Sequence, residues 1–165
     1  FRAWYQSNPL LAAIAGPPLK EICNQMNSLI NDGVRDKKPF MIYSCHDVTV
    51  LSLLYALGAD FVASSEELSA LGITIPNEGN YWPEYASTLV LELVRSVQQN
   101  KRENDEKEKF LVKIFLNGEP VQTITALKKG ERDNMDILDF IALANELNDA
   151  APCMLRCQDD SQQAS

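Results

Sequence analysis

Histidine is almost absent from this chain: His46 is the only one in 165 residues. Cysteine is scarce too, at four, and Cys23, Cys45, Cys153 and Cys157 show no C-x-x-C spacing. A structural zinc site needs three or four converging Cys or His ligands, so no metal is expected. Four thiols in a chain of this size are not a disulfide scaffold either. Positive charge is in deficit: 15 Lys plus Arg against 23 Asp plus Glu leaves a net charge of -8. Nucleic acid and anionic membrane surfaces select for clustered positive charge, and this balance argues against both. No apolar run approaches the roughly 18 residues of a membrane span. No Asn-x-Ser/Thr sequon and no basic-then-apolar leader pattern is visible. The chain opens at Phe1 without Met, so an N-terminal portion is expected to precede it.

What remains is an ordinary globular composition, 45% hydrophobic and 23% charged, in a chain long enough to bury a core. Leu19, Ile22, Met26, Leu29 and Ile30 recur at helical spacing and predict a helix over 17–31, with Pro17 in its first position and Gly33 as its stop. Phe40-Met41-Ile42-Tyr43 is a short continuous apolar run. It predicts a strand buried on both faces, as in a parallel sheet. Residues 48–57 read as a mostly buried helix, capped by Asp47 in front and Gly58 behind. A short helix is expected near 65–71, in a loop-rich stretch.

The second half changes character. Leu89, Leu91 and Leu93 alternate with Val90, Glu92 and Val94, the period of a strand. Further strands are expected at 110–116 and 119–125, joined by an Asn117-Gly118 turn. The polar stretch 98–109 between the first two reads as a solvated hairpin tip. A last helix is expected over 134–147, with Asp133 as cap, followed by a disordered tail from about 158. The fold class is α/β, with a parallel core and antiparallel edge strands.

Chemistry concentrates at Tyr43-Ser44-Cys45-His46-Asp47, where the expected strand gives way to a helix. Ligands of open α/β sheets bind beyond the carboxyl ends of strands. A helix N-terminus attracts anions through its dipole and its unpaired N–H groups. His46 can add a positive donor beside it, and Asp47 can carry a proton to a leaving oxygen. A neighbouring phosphate favours the protonated form of a carboxyl. The plain alternatives are a structural histidine at 46 and a mere helix cap at 47. A phosphatase nucleophile of the Cys-x₅-Arg kind is excluded at Cys45, because position 51 is Leu51. Cys45 is expected to be a small buried apolar filler.

Met41 through Thr49, followed by a helix ending Ala56-Leu57-Gly58, resembles the second signature of the histidine acid phosphatases. Trp82-Pro83-Glu84-Tyr85-Ala86-Ser87 and Leu91-Glu92-Leu93 resemble the strand that follows in that family. Gly16-Pro17-Pro18-Leu19 resembles its preceding helix start, and Asn117-Gly118-Glu119 falls where the family has a hairpin. The Ser-Cys-His-Asp-Val-Thr wording is similar to the lysophosphatidic acid phosphatase branch. Ala151-Pro152-Cys153-Met154 and the polar tail look more like the prostatic and lysosomal branch. The chain departs from the family at Thr88, where many members have cysteine, and in 129–136, which lacks the usual cysteine pair.

The resemblance implies an incomplete phosphoglycerate-mutase-like fold, with residues 1–165 forming the C-terminal portion of one domain. It implies hydrolysis of phosphate monoesters through a phosphohistidine intermediate, with no cofactor. His46 would bind phosphate and stabilise the transition state, and Asp47 would be the general acid. The nucleophilic histidine of the family lies in an Arg-His-Gly-x-Arg-x-Pro motif, and residues 1–165 contain none. The chain alone is therefore expected to be inactive. The substrate would be a small phosphate monoester, with a lysophospholipid and a homodimer left open. A secretory or lysosomal place is what the family favours, with a mitochondrial or cytoplasmic one open. Two other readings stand beside this one. One is a catalytically dead or truncated relative that binds phosphorylated ligands or a protein. The other is an unrelated α/β domain.

Overall fold

The computed structural model describes residues 7–31, 40–72, 81–99, 106–131 and 134–150. They fall into two compact units, Phe1–Leu57 with Ile141–Ser165, and Gly58–Phe140. The mixture of helix and sheet agrees with the expected class. The sheet does not: every paired strand is antiparallel, and no parallel core exists among the described residues.

The first unit is helical. Helix α1 (Asn8–Asn31) starts nine residues before the expected point, so Pro17 and Pro18 lie inside it. Each proline removes a backbone donor from the helix. Packing outweighs that loss, because Leu11, Ala15, Leu19, Cys23 and Met26 form one buried stripe that runs through the prolines. Helix α2 (Asp47–Ala56) packs against α1. Val50, Leu51, Ser52, Leu53, Leu54 and Ala56 of α2 are all buried, so its burial extends around most of the helix. Its end follows the expected chemistry. The Leu57 amide donates to the Leu53 carbonyl at 2.8 Å, and Gly58 takes φ +67°, the left-handed conformation glycine adopts without strain. The last ten residues of the C-terminal helix, 141–150, complete this unit. They come close to α1 at Gly16, where an added Cβ would sit 3.5 Å from the Leu147 carbonyl oxygen. Lys20 Nζ donates to Asn145 Oδ1 at 2.6 Å along the same contact.

The strand expected at Phe40–Tyr43 is not there. Residues 40–46 join no ladder, and Phe40 and Ile42 are 83% and 81% exposed. An apolar run becomes a buried strand only when neighbouring strands cover it, and the described residues supply none. Cys45, expected as buried filler, is exposed for the same reason.

The second unit is built on a hairpin. Before it come a 3₁₀ turn (Asp60–Val62) and helix α3 (Ser65–Ala70), close to where a short helix was expected. Strands β1 (Leu89–Gln99) and β2 (Glu106–Leu116) pair antiparallel over eleven residues. Both run further into the polar stretch than expected. Val112 and Ile114 are buried, and Leu91 and Leu93 stand opposite them. Asn117 and Gly118 make the next turn with φ +53° and +87°, the signs a two-residue hairpin needs. The third strand is only Glu119–Pro120 (β3); Thr123 then caps helix α4 (Ile124–Lys128), its Oγ1 accepting the Ala126 amide at 3.2 Å. The threonine signal for a helix cap thus overrides the expected strand over 119–125. Strand β4 (Met135–Asp136) pairs with β2, and helix α5 (Ile137–Ala150) follows three residues later than expected, with its first turn in this unit. Gly33, the tip 100–105, Asp133, Cys153, Cys157 and the tail lie outside the described residues.

Lys109 of the hairpin lies 3.3 Å from Glu131 and 3.3 Å from Asp136. Asp136 also caps α5, accepting the Leu138 amide at 2.9 Å. Burial pushes the Asp136 carboxyl up, but the Leu138 amide and the Lys109 ammonium hold it below the ordinary carboxylate range. A carboxyl lowered in the folded state adds stability above its unfolded pKa and loses it as pH falls through the folded value.

Replacing Asp136 by Ala should cost about 0.5–2 kcal/mol at pH 7, the usual worth of a helix cap. Asp136→Asn should keep most of the cap and lose the ion pair. Urea unfolding should show the gap between wild type and Asp136→Asn closing as pH falls below about 4. A gap that is constant from pH 7 to pH 2 would contradict the Lys109 pairing. A second expectation checks the exposed segment. Ile42→Lys should leave stability within about 0.5 kcal/mol of wild type, as for surface sites, and should reduce binding of a dye for apolar surfaces. A cost above 2 kcal/mol would mean that Ile42 is buried after all.

Candidate functional site

Helix α2 decides where the candidate residues stand. Its buried circumference fixes the helix in the first unit, and its N-terminus emerges at the surface with His46, Asp47 and Val48 all exposed. The N-cap is His46 rather than Asp47. His46 has extended backbone, φ -82° and ψ 160°, and its carbonyl accepts the amides of Thr49 at 3.0 Å and Val50 at 3.2 Å. Its imidazole makes no capping bond, so the ring is not spent on holding the helix. Asp47 is the first helical residue, and its Oδ1 accepts the Val48 amide at 2.8 Å. A carboxylate in the first turn also meets the positive end of the helix dipole.

The two residues singled out in the sequence are therefore adjacent, exposed and at the same helix end. The source of any anion affinity differs from the expectation. The amides of Val48, Thr49 and Val50 are engaged by Asp47 and His46, so open backbone donors at these three positions do not form the site. A ligand there would meet the imidazole and the helix dipole. Cys45 is a free thiol just ahead of them. No group of three or more His, Cys, Asp or Glu that could hold a metal occurs among the described residues. No described helix is long and apolar enough to cross a membrane.

Glu21 is the neighbour that sequence reasoning missed. The Tyr43 hydroxyl donates to Glu21 Oε1 of α1 at 3.2 Å. The two are 22 residues apart and belong to different local patterns, so no periodicity could pair them. Burial, then the Glu21 carboxylate, holds the Tyr43 hydroxyl above its ordinary pKa.

Of the comparisons with known proteins, one identifies a superfamily and the others find no match. No curated protein and no solved structure matches the chain. Residues 1–117, which take in α1, the His46–Asp47 corner, α2 and the β1–β2 hairpin, match the histidine phosphatase superfamily, branch 2. That match spans well over half of the sequence, and the chain belongs to this superfamily.

Proposed function

We propose that residues 1–165 supply the His-Asp half of a phosphomonoesterase site, in an enzyme that works through a phosphohistidine. The observation that carries this reading is the pair at the start of α2: an exposed imidazole free of capping duty, next to an exposed carboxyl in the first helical turn. Membership of the histidine phosphatase superfamily supports phosphate as the group bound.

The roles follow from chemistry. Phosphoryl transfer from a monoester to a histidine develops charge on the leaving oxygen and on the transferring group. His46, when protonated, donates to a non-bridging phosphate oxygen and stabilises the transferring group. Asp47 gives its proton to the leaving oxygen as the ester bond breaks, and as a base it takes a proton from the water that later hydrolyses the phosphohistidine. The attacking histidine is not within residues 1–165, where His46 is alone. It belongs to a segment outside them, and the same segment would supply cover for the apolar residues 40–43. The acid phosphatase branches, a lysophospholipid substrate and a homodimer are finer readings that rest on the sequence resemblance.

Purified residues 1–165 should bind inorganic phosphate weakly yet turn over no phosphate ester. Following the His46 ring resonances during a phosphate titration tests the first half, and His46→Ala should abolish the response at other nuclei of the α2 N-terminus. Turnover by the purified chain that disappears in His46→Ala would instead make His46 the nucleophile.

A leaving-group test separates the two roles in the enzyme completed with the nucleophilic segment. Asp47→Asn should slow an alkyl phosphate by roughly 10²–10⁴, the usual range for general acid catalysis. A nitrophenyl ester, whose leaving group hardly needs a proton, should lose far less. His46→Ala should slow both, because charge on the transferring group needs stabilising whatever leaves. Equal loss on the two esters in Asp47→Asn, with stability intact, removes Asp47 as the acid.

A further inference from the structure

Residues 40–46 approach the His46–Asp47 corner without any strand to pair with, and Phe40 and Ile42 are open to solvent. An unpaired backbone segment of this kind samples many conformations unless something fastens it. Among the described residues, the side-chain hydrogen bonds of this segment are those of Tyr43. Its hydroxyl lies 3.2 Å from Glu21 Oε1 and 3.7 Å from Met41 Sδ. A hydroxyl has one proton, and a carboxylate is a much stronger acceptor than a thioether, so the proton goes to Glu21.

Glu21 is a firm anchor because of its neighbours rather than its own burial. Leu19 and Cys23 on either side of it are buried, and the adjacent Lys20 is bonded to Asn145. The helix under Glu21 is therefore held by packing on either side of it and by the Lys20–Asn145 bond. Tyr43 stands three residues before His46, close enough that fixing one restricts the other.

We propose that Glu21 and Tyr43 are positioning residues: their hydrogen bond fastens the segment that precedes His46 to helix α1, and so sets where the imidazole stands beside Asp47. The inference rests on the phosphate-site reading for its consequence, and on the geometry alone for the tether. Neither residue touches the reacting atoms. Their effect runs through the order of Ser44, Cys45 and His46.

The experiment uses residues 1–165 with inorganic phosphate as the probe. Nitrogen-15 relaxation reports the order of Ser44–His46, and the His46 ring resonances report phosphate binding. Tyr43→Phe and Glu21→Ala should each lower the order parameters of these three residues. Each should weaken phosphate binding about three- to tenfold, as expected for loss of one hydrogen bond of ordinary net strength. Glu21→Gln should restore both readings, since its amide oxygen still accepts the hydroxyl. The double variant should lose no more than either single one, which a general loss of stability would not reproduce. Both side chains are substantially exposed, so thermal unfolding should be unchanged and serves as the folding control. Unchanged order at 44–46 in Tyr43→Phe overturns the proposal. A tether that holds while wild type shows no phosphate response supports the proposal and sinks the phosphate reading instead.

Discussion

Helix α2 cannot exist in water on its own. A ten-residue helix is too short to be stable by backbone bonds alone, and six of its ten residues are buried around most of its circumference. It is held only by what surrounds it, which makes its placement strict. Its first turn inherits that strictness. The His46 carbonyl receives two amides from the helix, and Asp47 is already one residue inside it. The candidate chemistry therefore stands on backbone that packing holds in place, although both side chains face solvent. Rigid support beneath an open side chain is what a binding or catalytic group needs.

The sequence revealed elements better than partners. Helix α2, its glycine stop and the leucine alternation of β1 follow local rules, and each was legible from residue spacing. The Asn117-Gly118 turn was legible because few other pairs tolerate two positive φ angles in succession. Pro17 misled, since proline at a helix start and proline inside a helix look alike until the buried stripe on both sides of it is known. Phe40–Tyr43 misled in the opposite direction. Apolarity announced that the run should be covered, and that inference was drawn as if the cover were present. Antiparallel pairing through β4 was invisible because two residues carry no period.

At the site, residue types were legible and their duties were not. His46 and Asp47 stood out because they fall where an expected strand gives way to a helix, and because His46 is the only histidine in the sequence. Which of them occupies the cap depends on one backbone torsion, and pattern reasoning placed it one residue too late. That shift matters chemically. With the cap at His46 supplied by its carbonyl, the imidazole is released from structural work. The Asp47 carboxyl is steadied by the Val48 amide, which donates to its Oδ1.

The exposed segment 40–46 and the firm helix behind it make opposite demands on the chain. Burying a side chain such as Phe40 or Ile42 is worth about 1.5–3 kcal/mol, and both are left outside. A segment that covered them would gain on the order of 3–6 kcal/mol from these two residues alone, minus the cost of ordering itself. That ordering cost is smaller if residues 40–46 are already fastened. Tyr43 held on Glu21 would lower the entropy lost when the segment is covered, just as it would limit the wandering of His46. One surface hydrogen bond of ordinary strength could then influence both assembly and chemistry, because it acts on a segment that no strand pairing holds.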